Sequence, residues 1–240
     1  MSSSEKKALK TSSPEEVSQF LQEVRSRAVS RPSGGQGRLI FAMDATASRE
    51  PMWDRACQIQ GHMFEETAAI GGLEIQLAFY RGYGEFKAAP WASDANVLLQ
   101  RMTAIRCAAG QTQIKRVLQH TIAQAQAERG RVNALVFVGD CMEEDPDGLA
   151  ALGGELGILG VPMFLFQDGG DPIAAKTFSH LARLTRGAHC RFDASSASQL
   201  KDLLCAVAVY AAGGYKALAA HGQRQGGEAL QLLEKLSGRT

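Results

Sequence analysis

The feature that most constrains this chain is the regular alternation of short apolar runs with longer stretches of helical periodicity. Leu39–Met43, Leu73–Tyr80, Val132–Val138, Val161–Phe166 and His189–Phe192 read as strands. Between and after them, Met52–Ile70, Asp94–Arg106, Thr112–Arg129, Leu149–Leu159, Pro172–Thr185 and Ser198–Ala212 read as helices. Strands separated by helices of ten or more residues pair in parallel through right-handed crossovers. The run Ala134–Val138 is apolar at every position, as expected of a sheet covered on both sides. The turn Arg81-Gly82-Tyr83-Gly84 leads into a short strand at Glu85–Ala88, which makes a hairpin and supplies one antiparallel edge. The predicted fold class is α/β: a doubly wound, mostly parallel sheet with one antiparallel edge strand and helices on both faces.

The chain divides into four parts. Residues 1–12 are polar and charged and read as a disordered tail. Residues 13–37 hold an N-terminal helix and a linker. Ser13-Pro14-Glu15-Glu16 is a capping box with proline at the first helical position, and Val17, Phe20, Leu21 and Val24 form an apolar face that predicts packing on the domain. Arg31 to Gly37 is the linker, 38–212 is the α/β domain, and 213–240 is an extension punctuated by glycine pairs.

Charge and cysteine usage exclude several function classes. Lys+Arg total 26 against 25 for Asp+Glu, so the basic excess of a nucleic-acid binder is missing. The five cysteines are odd in number, widely spaced and without a C-x-x-C, which points to a reducing, cytoplasmic setting. The N-terminal residues lack the apolar core of a secretory signal. Gly148–Phe166 is interrupted by Glu155, Pro162 and five glycines, and Leu203–Tyr215 is too short to span a bilayer, so no membrane association is expected.

In open α/β sheets, ligands sit beyond the carboxyl ends of the strands. Two predicted strands end in aspartate there, Asp44 and Asp140. Asp44-Ala45-Thr46-Ala47-Ser48 sets a carboxylate and two hydroxyls at alternate positions, and Thr112 adds a hydroxyl in the turn before a helix. This oxygen-only set, without His or Cys, suits a hard cation such as Mg²⁺ or Mn²⁺. Each residue also has a plainer role. Asp, Ser and Thr after strands are ordinary caps and turn formers, and Thr112 is well placed to cap the helix it precedes. Asp44, at a strand end, is expected to be replaceable without loss of the fold.

The D-x-T-x-S run after an apolar strand, Thr112 in a Gly-x-Thr turn, and Asp140 after Leu135-Val136-Phe137-Val138-Gly139 resemble a von Willebrand factor A domain with its metal-ion-dependent adhesion site. The resemblance covers about residues 38–212. It implies a six-stranded sheet and direct metal contacts by Thr46, Ser48 and, in some states, Thr112, with Asp44 and Asp140 acting mainly through water. It also implies a non-enzymatic, cation-dependent protein-binding module whose partner supplies an Asp or Glu to the metal. By analogy that partner is a ring-forming ATPase of the metal-chelatase type. Two departures stand out: Thr46 stands where the family more often has Ser, and Cys141 stands where a Gly is common.

Two alternatives remain open on sequence grounds. Phosphatases of the haloacid-dehalogenase type also place Asp after the first strand and a Gly-Asp loop after a later one. They need a second carboxylate where Thr46 stands, and a threonine is no general acid at neutral pH. The other is a structural subunit with a vestigial metal site. No P-loop and no G-x-G-x-x-G after the first strand supports nucleotide binding. His62, His120, His180, His189 and His221 are dispersed, and Cys141 is a candidate reactive thiol only through its position beside Asp140. Trp53 and Trp91 are expected near the loops at the site end.

Overall fold

A computed structural model describes residues 37–50, 73–127, 131–192, 205–209 and 211. The tail, the helix at 13–28, the helix predicted over Met52–Ile70 with Trp53, and the extension at 213–240 lie outside the described residues. Six strands form one sheet in the order β3-β2-β1-β4-β5-β6. They are β1 (Gly37–Asp44), β2 (Leu73–Arg81), β3 (Glu85–Ala88), β4 (Ala134–Gly139), β5 (Met163–Asp168) and β6 (Ala188–Phe192). All neighbouring pairs are parallel except β2 with β3, which is antiparallel. The α/β class, the parallel sheet and the antiparallel edge therefore stand as the sequence predicts.

Four helices are α1 (Ala95–Thr103), α2 (Ile114–Gln126), α3 (Pro146–Ile158) and α4 (Pro172–Leu184), and residues 205–209 are also helical. Side chains alternate across the sheet, so every central strand feeds two cores. Leu39, Phe41, Met43, Val136, Val138, Phe164 and Phe166 pack with Leu98 and Met102 of α1 and with Val207 and Val209. Ile40, Ala42, Leu135, Phe137, Met163 and Leu165 pack with Val117 and Leu118 of α2, Leu156 of α3 and Phe178 of α4. Both faces are covered, which is why Ala134–Val138 carries no polar position. Among the described residues no helix is long and apolar enough to cross a membrane, and the run Gly148–Phe166 is split between α3 and β5.

Asp145 and Asp171 cap α3 and α4 by accepting from Gly148 N and Ala174 N, each followed by proline at the first helical position. Helix α2 departs from the sequence reading. It begins at Ile114 rather than Thr112, and its N-cap residue Gln113 makes no side-chain cap. A residue from another loop does that work, as described below. Trp91 also departs: its Nε1 donates to Gln124 at the end of α2, and Arg38, at the start of β1, stacks on its ring. It thus lies at the amino-terminal edge of the parallel strands, opposite the predicted site, because the segment after β3 runs back along β2 to pair Ala92 with Ile75.

Candidate functional site

Strand β1 has β2 on one side and β4 on the other, so the chain reverses its direction of winding between β1 and β4. A crevice opens beyond the carboxyl ends of such a pair. Met43 is in register with Val138, so Asp44 and Gly139 stand at one level and Asp140 one residue further out. A Cβ on Gly139 would come within 2.8 Å of the Phe137 ring and 3.6 Å of Asp44 Cβ, so glycine leaves room for the carboxylate beside it.

Asp44 is fully buried, contrary to the expectation for a strand-end residue. Its Oδ1 accepts from Thr46 N at 2.8 Å, and its Oδ2 accepts from Tyr80 Oη at 3.0 Å. Tyr80 pairs with Asp44 across β1 and β2 and stacks on Phe137, so the phenol enters from the core. Burial pushes the Asp44 carboxyl up to about 6; hydrogen bonds from Thr46 and Tyr80 oppose this and the charge of Asp140 adds to it. The same Asp44 charge, with full burial, raises Tyr80 further above its ordinary value. Replacing Asp44 by alanine therefore strands Tyr80 Oη and Thr46 N, and the fold is not indifferent to it.

Beyond Asp44 the chain turns at once. Thr46 and Ser48 share a hydrogen bond of 3.0 Å between their hydroxyls, with Thr46 buried and Ser48 exposed. Thr46 forms a bridge with Ala108, whose N donates to Ala45 O at 3.1 Å, so the segment before α2 borders this turn. Arg49 closes the turn. It is only 2% exposed and its Nη1 pairs with Asp168 at the end of β5, while its Nε is buried without a partner.

Asp140 Oδ1 is buried with no hydrogen-bond partner. Burial, together with the Asp140 charge, pushes the Cys141 thiol up to about 12. These surroundings favour the protonated thiol of Cys141. Thr112, buried, is bound to this same loop: its Oγ1 accepts from Glu143 N at 3.1 Å, and its N donates to Glu143 Oε2 at 3.2 Å. Glu144 Oε2 and Oε1 accept from Ile114 N at 2.5 Å and Lys115 N at 2.8 Å, which supplies the cap α2 lacks. The other flank of the Thr112 turn meets the hairpin tip, where Gly82 O accepts from Gln111 N at 3.3 Å. A Cβ on Gly110 would lie 2.1 Å from that oxygen, so the approach requires glycine there.

Asp44, Thr46 and Ser48 thus leave β1 together, Asp140 leaves the neighbouring strand, and Thr112 joins through Glu143. Among the described residues no group of three or more His, Cys, Asp or Glu gathers into a metal site. A cation here would depend on hydroxyl oxygens beside the two carboxylates. Tyr80, Arg49, Asp168 and Glu143 were not singled out from sequence. Only Tyr80 left a trace, as the last apolar position of a strand in register with β1.

Neither a protein-family model nor a curated protein sequence matches the chain. Solved structures do resemble it. The BatB protein of Bacteroides thetaiotaomicron aligns with a TM-score of 0.56 at 12% identity, over 70% of this chain and 97% of that one. The VWA domain of SpRpn10 aligns with a TM-score of 0.58 at 13% identity, over 70% and 94%. A von Willebrand factor type A protein from Catenulispora acidiphila aligns with a TM-score of 0.56 at 12% identity, over 72% and 42%. With the strand order and the edge hairpin, these likenesses establish that this chain has the fold of a von Willebrand factor A domain.

Proposed function

We propose that the crevice between β1 and β4 binds Mg²⁺ or Mn²⁺ and, through that cation, a carboxylate of a protein partner. The observation that carries this reading is Asp140 Oδ1, a buried carboxylate oxygen without a partner, beside a second buried carboxylate, Asp44. Two carboxylates within each other's field and one unpaired oxygen are costly without a positive charge to face them. Asp44, Thr46, Ser48, Thr112 and Asp140 would hold the ion, an all-oxygen set that suits a hard cation. Tyr80 and Thr46 N orient Asp44, and Arg49 anchors the turn that carries the two hydroxyls. When bound, the cation supplies a positive charge that an Asp or Glu of the partner neutralises.

The module is read as non-enzymatic. Thr46 occupies the place where a phosphatase of similar layout needs its acid, and the Cys141 thiol stays protonated near neutral pH. The odd number and wide spacing of the five cysteines fit a reducing compartment such as the cytoplasm.

The test is thermal and chemical denaturation with added Mg²⁺ or Mn²⁺ against chelator. The parent protein gains about 2.7 kcal/mol at a hundredfold excess over Kd. Asp44→Asn keeps an acceptor for Thr46 N but loses the charge, and the gain disappears. Ca²⁺, with longer bonds and more ligands, gives a smaller gain. Equal stabilisation of parent and variant overturns the assignment, and no stabilisation of the parent leaves a vestigial site.

A further inference from the structure

The link between Thr112 and the loop after β4 does not come from neighbouring sequence: the two segments are 31 residues apart. Its form is reciprocal. Glu143 gives its amide to the Thr112 hydroxyl and takes the Thr112 amide on its carboxylate, the exchange of a capping box made between two loops. Thr112 is buried, whereas Glu143 is exposed. An exposed carboxylate that caps no helix of its own and takes the amide of a buried threonine, whose hydroxyl its own backbone N–H already holds, needs a reason beyond stability, since Glu144 already ties the same loop to α2.

We propose that Glu143 is a positioning residue for Thr112, setting its hydroxyl relative to Asp140 so that the cation site is assembled before the ion arrives. This rests on the cation reading above. A hydroxyl has one proton and two lone pairs, and the Glu143 amide uses one lone pair. The second lone pair and the proton stay available, so the clasp orients Thr112 without consuming its capacity to bind. Asp140 stands three residues before Glu143, and the clasp therefore makes the two candidate ligands move as one unit. On the far side, Gln113 Nε2 donates to Arg81 O and Gly82 O at 3.2 Å each, which braces the turn against the hairpin. Loss of the Glu143 carboxylate frees Thr112 N and leaves the Glu143 amide as the one tie of this loop to the Thr112 hydroxyl.

A negative charge near a cation also attracts it, and the experiment must separate that effect from positioning. Glu143→Gln keeps an oxygen acceptor for Thr112 N and loses the charge; Glu143→Ala loses both. Mg²⁺ affinity of the full chain is read by calorimetric titration, with the chelator-treated melting temperature of each variant as the control for folding. Positioning predicts that Glu143→Gln stays within about threefold of the parent, while Glu143→Ala weakens Mg²⁺ binding about tenfold or more at little change in melting temperature. Equal weakening in both variants means that charge alone acts, and the proposal falls. Parental affinity in Glu143→Ala also overturns it. Absence of Mg²⁺ binding by the parent would remove the cation reading itself and this inference with it.

Discussion

Two loops leave adjacent parallel strands at the same edge of the sheet, and they are built in opposite ways. The loop after β1 closes on itself: Asp44 takes Thr46 N, Thr46 meets Ser48, and an ion pair from the buried Arg49 to Asp168 fixes its end. The loop after β4 leaves Asp140 Oδ1 unpaired and uses Glu143 and Glu144 on a different segment, the start of α2. The first loop is pre-formed by short-range bonds around a buried carboxylate. The second owes its position to another loop. In the β1 loop, disturbing a residue should mainly alter stability; in the β4 loop, it should alter the relation between Asp140 and Thr112.

The largest expected effect tests the anchor of the first loop. Arg49→Ala removes the guanidinium from beside Asp168; because that carboxylate is only partly buried, the expected cost is about 3 kcal/mol, the low end for breaking a buried pair. Urea denaturation in chelator measures it. A loss below about 1 kcal/mol would mean that the short-range bonds hold the β1 loop without the anchor.

The next effect concerns the buried carboxylate. Burial raises Asp44 from 3.8 to about 6, so between those pH values the folded state binds its proton more tightly than the unfolded state. Its contribution is present below about pH 4 and is lost as pH rises through 6, on the order of 3 kcal/mol at ~1.4 per unit. His189, held down to about 4 mainly by burial, gives the opposite slope, because the unfolded chain takes up the proton first as pH falls. The measurement is therefore the difference between parent and Asp44→Asn in urea denaturation without metal, from pH 4 to 7. The stability of the parent minus that of Asp44→Asn rises as pH falls from 7 to 4; a difference independent of pH would place the titrating carboxylate elsewhere.

The smallest effect sharpens the second loop. Glu144→Ala removes the carboxylate from Ile114 N and Lys115 N, and a lost cap costs about 1 kcal/mol. The melting temperature should fall modestly while Mg²⁺ affinity changes less than in Glu143→Ala. The reverse ranking would show that α2 and not Thr112 transmits the position of the β4 loop.

Local residue patterns are enough for the sheet and the ends of its strands. Apolar runs of strand length between helical stretches leave few ways to bury both faces, and Asp44 and Asp140 follow such runs directly. The helix predicted from Leu149 starts three residues earlier, at Pro146, where Asp145 caps it. Tertiary structure decided the rest. Tyr80 meets Asp44 across 36 residues, Arg49 meets Asp168 across 119, and Glu143 meets Thr112 across 31. None of these pairs leaves a periodicity, because each depends on which strands become neighbours: β2 beside β1 for the first, and β4 and β5 on the far side of β1 for the other two. Trp91 lies away from its expected place for a like reason: its position follows from the path of the chain after β3, which pairs Ala92 with Ile75. The burial of Asp44 was equally out of reach, since a strand end becomes interior only when a tyrosine from the next strand closes over it.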